Sequence, residues 1–119
     1  MGIQDFKKLR VWNERVDLAA GVYDVTAALP PNERFGLTAQ MRSAAVSISS
    51  NIAEGAARNG IADKARFIQI AIGSASELES RMLVALRLGF LGEVDGLLDK
   101  VDKIRRQLIR LKSNVEREI

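Results

Sequence analysis

The stretch VDGLLDKVDKIRRQLIRLKSNV, residues 94–115, decides the predicted fold. Its apolar residues recur alternately three and four positions apart, and mostly polar residues fill the positions between them. This spacing places the apolar side chains along one side of an α-helix and is typical of the seam of a left-handed helical bundle. We predict that the seam consists of Val94, Leu97, Val101, Ile104, Leu108, Leu111 and Val115.

Three further segments with helical periodicity precede this one. Pro30 and Pro31 are expected to end the first, and Asn59-Gly60 to end the second, since both residues tolerate the left-handed cap conformation. Glu93, Asp95 and Asp99 are expected in the first turns of the fourth helix, where acidic side chains stabilise the positive end of the helix dipole. Short connections then predict one domain over residues 1–119, an all-α, antiparallel, up-down-up-down four-helix bundle. The predicted helices cover about residues 8–28, 37–58, 62–88 and 93–117.

The composition excludes several classes of function. The 119 residues include no cysteine and no histidine, which removes disulfides, thiolate sites and the commonest general base and metal ligand. No apolar signal segment is visible at the N-terminus, and the longest run without charge, residues 43–53, is too short to span a bilayer. We expect a cytoplasmic protein that is not an enzyme, with no cofactor, no metal and no membrane contact.

That uncharged run, SAAVSISSNIA, suggests either a serine-based site or a closely packed helix. The catalytic reading needs a base to activate a serine, and the chain has no histidine and no lysine between Lys8 and Lys64. The packed reading expects the second helix to be covered nearly all round, with Asn51 and Glu54 bonded to side chains or helix ends. The first two helices also carry more apolar residues than one bundle can cover, which favours self-association.

A set of motifs covers nearly the whole chain: LRVW (9–12), Tyr23 with LPPNERFGL (29–37), QMRSAAVSISSNIAEG (40–55), Arg58, IAIGSASELES (70–80) and LGFL (88–91). In their order and spacing they resemble the four-helix-bundle proteins encoded by intervening sequences in bacterial 23S ribosomal RNA genes, a group related to the accessory variability proteins of diversity-generating retroelements. The chain departs at Gly60, where a serine cap is usual, and at Lys64, where an aromatic is usual.

The resemblance implies a homopentamer of antiparallel bundles without enzymatic activity. The retroelement branch is associated with nucleic acid and a reverse transcriptase, so RNA, DNA or another protein such as a reverse transcriptase are implied partners. The positions that match the family's motif are Gln40, Asn51, Glu54, Gly55, Ser74 and Glu77.

Two other patterns favour structural readings. Glu54, Glu77 and Glu79 lack the histidines of a di-metal bundle, so we interpret them as solvated or hydrogen-bonded carboxylates. Gly73-Ser74 looks like part of a phosphate loop but falls in the middle of a helix, where the backbone N–H groups are already bonded. We expect Gly73 to mark a close contact between helices.

Basic residues cluster on the fourth helix. Seven basic and only two acidic residues occur between positions 100 and 117. They form either a solvated face or a phosphate-binding surface without sequence readout, since no aromatic lies among them. We predict a non-catalytic, homo-oligomeric scaffold with weak, sequence-independent affinity for nucleic acid; the alternative is a protein–protein interaction module without a nucleic-acid role. The candidate phosphate-binding residues are Lys103, Arg106, Arg110, Arg117, Lys7 and Lys8.

Overall fold

Four helices account for most of the chain, close to where the sequence predicts them. The protein's computed structural model describes residues 10–118, with only the backbone of Val11 described. In that range the fold is all-α, and no strand occurs. Where ends can be compared, they differ from the predicted ones by one or two residues or coincide with them. The helices are α1 (Arg10–Thr26), α2 (Leu37–Ala57), α3 (Ile61–Arg87) and α4 (Asp95–Glu116), with a short 3-10 helix at Pro31–Glu33.

The four helices occupy the four corners of a bundle. α2 lies against α1 and α3, and α4 lies against α3 and α1, whereas the diagonal pairs do not pack together within the described chain. The bundle measures 47 × 20 × 20 Å. The α1–α2 side and the α3–α4 side therefore face in opposite directions.

The predicted seam of α4 is confirmed. Val94, Val101, Ile104 and Leu108 are buried, and Leu97, Leu111 and Val115 pack against the core as partly buried residues. The 3- and 4-residue spacing succeeds here because each apolar side chain meets the bundle axis once per turn. The other helices also contribute large side chains to the core. Those that are fully buried include Leu18, Met41, Ile48, Leu78 and Met82.

α2 ends at Ala57, just before Asn59-Gly60 as predicted, but without a left-handed residue. Asn59 and Gly60 are not left-handed; Gly60 has a φ of −87°, and Gly89 after α3 is the residue with positive φ, 77°, in the described range. Lys64 explains the difference, because its Nζ donates to the carbonyls of Gly55 (3.4 Å) and Ala56 (3.3 Å). These are among the carbonyls that a left-handed cap would otherwise satisfy.

Two smaller expectations were also wrong. Glu93 precedes α4, and its carboxylate accepts a hydrogen bond from the backbone N–H of Asp95 at 2.6 Å. Gly73 is exposed, and a Cβ added there would meet nothing within 4 Å. The close contact between α2 and α3 lies instead at Gly55, where an added Cβ would be 3.2 Å from the Cβ of Phe67.

Candidate functional site

A chain of hydrogen bonds connects α2 to α3 at the family-like motif residues. The hydroxyls of Ser47 and Ser74 lie 2.9 Å apart, across the contact between the two helices. Asn51 donates from Nδ2 to the Ser47 carbonyl (2.8 Å) and to the Ser47 hydroxyl (3.0 Å). Asn51 and Ser74 are thus brought together by Ser47, which the sequence does not single out. The sequence feature that could have identified Ser47 is its i, i+4 spacing to Asn51, which places both side chains on one side of α2.

The remaining motif residues are placed around this chain rather than in one pocket. Gln40 and Glu77 line a shallow groove between α2 and α3, together with Ser43, Ser47 and Ser74. Gly55 is buried at the closest approach of the two helices. Glu54 is exposed, as expected, and pairs with Arg58 one turn later at 3.1 Å. Asn51, Gly55 and Ser74 therefore lie at the contact between α2 and α3, whereas Gln40, Glu54 and Glu77 are exposed.

Each carboxylate that could suggest a metal site has an arginine beside it. Glu77 pairs with Arg81 at 2.8 Å, and Glu79 accepts two hydrogen bonds from Arg105 of α4, at 3.1 and 3.3 Å. The hydrogen bond with Glu79 raises the pKa of Arg105. Between residues 10 and 118, no group of three or more acidic side chains is arranged to hold a metal ion.

The predicted basic residues of α4 share an exposed face but differ in their surroundings. Lys103 lines a groove with Glu14 and Asp17 of α1, so two carboxylates lie beside its charge. Arg106 pairs with Asp102 at 3.1 Å. Lys7 and Lys8 lie outside the described residues. Lys103, Arg110 and Arg117 form no ion pair in the described range, and no carboxylate lines the groove of Arg110 and Arg117.

The family follows from the sequence match to these four helices. The description "23S rRNA-intervening sequence protein" belongs to a family that matches residues 7–110, which is most of the chain. The protein belongs to that family. No curated relative matches the chain. The match includes all six motif residues and Arg110 but ends before Arg117, so the C-terminal part of the basic face is not covered by it.

This family member also holds a buried cation that the sequence pattern did not lead us to expect. Arg15 of α1 is 0% exposed, and its Nη2 donates to the side-chain oxygen of Gln107 (2.9 Å) and the carbonyl of Ile104 (3.4 Å), both on α4. Burial lowers the pKa of Arg15 to about 10, and the neighbouring Glu14 carboxylate partly offsets that shift. The sequence does contain a signal for the burial of Arg15, since this residue precedes Leu18 and Val22 at i, i+3, i+7 spacing.

The outer face of α2 is more open than the sequence predicts. Ser43, Val46 and Ser50 are exposed, and Val46 keeps 40% of its surface accessible. Ser49 bonds back to the carbonyl of Val46 at 3.0 Å, as expected for a serine that needs no distant partner. In a single chain, therefore, α2 is not covered nearly all round. No helix of the described chain has both the length and the apolar character needed to cross a membrane.

Proposed function

We propose that this protein is a non-catalytic scaffold that assembles from several copies of its own bundle. The observation that carries the proposal is the set of large apolar side chains left in water by a bundle whose core is already filled. Three of them, Val16, Tyr23 and Val46, lie on the two helices that the sequence predicts to carry surplus apolar surface. A second copy of the chain is the simplest cover for such side chains.

The bundle is proposed to be antiparallel. Supporting contacts run in opposite order along neighbouring helices: Ser47 meets Ser74, whereas Gly55, farther along α2, meets Phe67, which is earlier on α3. The proposed number of copies, five, comes from the family resemblance. The cytoplasmic location stays a prediction from the sequence.

The local chemistry supports a structural role for the polar residues. The Ser47, Ser49 and Ser74 hydroxyls are all engaged in hydrogen bonds. The carboxylate that shares the groove of Ser47 and Ser74, Glu77, is paired with Arg81 at 2.8 Å. The carboxylates of the motif, Glu54 and Glu77, form ion pairs with Arg58 and Arg81.

Light scattering coupled to gel filtration tests the assembly. A homopentamer should elute as one species of about five times the 13.1 kDa chain mass at micromolar concentration. The mass should hold when salt is raised, because apolar contacts are not screened. A species of 13.1 kDa at every concentration would contradict the scaffold proposal.

Weak, sequence-independent contact with nucleic acid is the second candidate, and Arg110 and Arg117 favour it. Both are exposed on one face of α4, and a shallow groove lies between them. The double change Arg110→Gln with Arg117→Gln should weaken binding to mixed-sequence RNA or DNA. The slope of log affinity against log salt should fall by about 0.7 to 0.9 for each phosphate that the variant no longer neutralises.

The matched control removes two cations from the other side of the bundle. Arg58→Gln with Arg81→Gln takes away the same formal charge, but both arginines are paired with glutamates. Binding that falls equally in both double variants would indicate a net-charge effect rather than a site on α4. No binding by the unmodified protein at low salt would favour the alternative, an interaction module for another protein such as a reverse transcriptase.

A further inference from the structure

Two groups of exposed apolar side chains lie on opposite sides of the bundle. The α1–α2 patch consists of Val16, Ala20, Tyr23 and Val46. The α3–α4 patch consists of Leu83, Val84, Leu88 and Ile109. Because α1 and α2 form one side of the bundle and α3 and α4 form the opposite one, a single partner surface cannot cover both groups at once.

Helical spacing and two contacts define the α1–α2 patch. Val16, Ala20 and Tyr23 follow one another at turn-length spacing along α1, so they form one stripe. Arg42 of α2 joins this stripe to its own helix, since its guanidinium carbon lies 4.5 Å from the centre of the Tyr23 ring and its Nε donates to Thr26 Oγ1 at 2.9 Å. Val46 follows Arg42 by one turn and continues the patch along α2.

The α3–α4 patch is located by the ion pair between these helices. Leu83, Val84 and Leu88 line a groove on α3 together with Glu79, which binds Arg105 of α4. Ile109 follows Arg105 by one turn of α4, which brings it to the same side. Ile109 and Leu83 are among the more exposed apolar residues, at 53% and 51%.

Several charged side chains beside the two patches already have partners. Arg42, at the edge of the α1–α2 patch, is stacked and hydrogen-bonded. Beside the α3–α4 patch, Glu79, Asp102, Arg105 and Arg106 form ion pairs with one another, whereas Arg87 lines the same groove and forms no ion pair in the described part of the chain. A surface whose edge charges are mostly paired suits contact with another protein surface.

The size of the α1–α2 side sets how much of it a stable interface must use. α1 has 17 residues, which at about 1.5 Å each gives a length of about 25 Å. Across the 20 Å width of the bundle, this is a flat area of about 500 Å², and the accessible area of a side-chain-covered surface is larger. A stable interface takes about 800 Å² of accessible surface from each partner. Nearly the whole side of the bundle is thus needed.

We propose that the α1–α2 patch of one copy packs against the α3–α4 patch of a second copy. Pairing unlike patches leaves each copy with one patch free for the next neighbour, whereas pairing two α1–α2 patches would leave both α3–α4 patches in water. Contacts of this heterologous kind build rings when the rotation between copies closes. The inference rests on the proposed self-assembly and adds which surfaces meet.

Charge substitutions at one residue of each patch test the pairing. Val46→Arg breaks the α1–α2 patch, and Leu83→Arg breaks the α3–α4 patch; both positions are exposed in the single chain, so the bundle itself should stay folded. Either change buries an unpaired charge in the assembly and should weaken association by more than about 100-fold. Each variant alone should therefore have the monomer mass. The control is Ile70→Arg, whose position has the same 40% exposure as Val46 but belongs to neither patch, and it should assemble normally.

An equal mixture of the two monomeric variants gives the decisive result. Val46→Arg keeps an intact α3–α4 patch and Leu83→Arg keeps an intact α1–α2 patch, so one heterologous contact can form and the mixture should contain dimers and nothing larger. Assembly by either variant at the unmodified size overturns the pairing of patches while leaving self-assembly standing. An unmodified protein that is monomeric overturns self-assembly itself, and Tm measurements separate both outcomes from unfolding.

Discussion

α2 and α4 occupy opposite corners of the bundle and make their contacts with different chemistry. α2 meets α3 through Gly55 and through the Ser47–Ser74 hydroxyl pair, both small and uncharged. α4 meets its neighbours through arginines, with Arg15 reaching it from α1 and Arg105 reaching from it to α3. Small side chains let backbones approach closely, whereas the arginines connect neighbouring helices with directed hydrogen bonds.

The outer faces of the two helices repeat this difference. α2 exposes Ser43, Val46 and Ser50, and α4 exposes Lys103, Arg106 and Arg110. A charged face is stable in water, but an uncharged helix face is better covered by another apolar surface. We therefore assign the α2 side to protein contact and the outer face of α4 to solvent or phosphate.

The largest change in stability is expected at the contact between α4 and the buried cation of α1, Arg15. Arg15→Ala removes the donor to Gln107 and Ile104 and leaves a cavity, so the free energy of unfolding should fall by about 3–5 kcal/mol. Arg15→Met, which fills similar space without charge, should be close to neutral. Urea denaturation at matched protein concentration measures both. A loss below about 1 kcal/mol for Arg15→Ala would mean that the α1–α4 contact does not depend on this residue.

The next largest change in stability distinguishes Gly55 of α2 from Gly73 of α3. Gly55→Ala places a Cβ 3.2 Å from the Phe67 Cβ and should reduce the free energy of unfolding by about 1–3 kcal/mol. Gly73→Ala has open space and a helical backbone, and should increase it by about 0.5–1 kcal/mol.

Thermal and urea unfolding of the two alanine variants should therefore move in opposite directions. If both variants were stabilised, the α2–α3 contact would be looser than the distances indicate. If Gly73→Ala lowered the oligomer mass while raising monomer stability, Gly73 would belong to an interface between copies.

A smaller effect is expected at the hydroxyl pair. Ser74→Ala removes the hydrogen-bond partner of Ser47 and should lower the free energy of unfolding by about 1 kcal/mol. Ser76 is exposed on the same helix, so Ser76→Ala serves as a control that should be neutral. Equal stabilities for the two alanine variants would show that the chain of hydrogen bonds between α2 and α3 adds nothing measurable.

The smallest effect belongs to the outer face of α4. Arg110→Gln should change the free energy of unfolding by less than about 0.5 kcal/mol, because the side chain is exposed and has no ionic partner in the described part of the chain. Arg106→Gln loses only the exposed pair with Asp102 and should behave similarly. A large loss at either position would place the side chain in a contact between copies.

The sequence predicts the fold well where spacing alone carries the information. The seam of α4 and the four helices follow from apolar periodicity, which fixes the face that each helix buries. It predicts less at single positions: glycine leaves no periodic signal, so nothing in the sequence separates Gly55, which is packed, from Gly73, which is open. The hydrogen bonding at the end of α2 could not be predicted either, because the donor to its carbonyls, Lys64, belongs to the next helix.

The candidate surfaces were predictable only in part. Surplus apolar residues in the first two helices indicate self-association, and the structure adds their location on one side of the bundle. The α3–α4 patch gives a weaker signal, since Leu83 and Val84 fall within a helix most of whose other apolar residues are buried or partly buried. The basic face of α4 was visible in the sequence, but the carboxylates beside Lys103 belong to α1 and become neighbours only on folding.

Disulfide cross-linking tests the pairing of the two sides most directly, since the natural chain contains no cysteine. Val46→Cys and Leu83→Cys are prepared as separate proteins, mixed in equal amounts, left to exchange copies and oxidised. We expect a covalent dimer in the mixture and little or none in either protein alone, because a disulfide needs Cα atoms within about 7 Å. A dimer formed by Val46→Cys alone would show that like patches meet. An oligomer that yields no cross-link in any sample, including pairs of neighbouring positions in the two patches, would place the interface elsewhere and contradict the assignment.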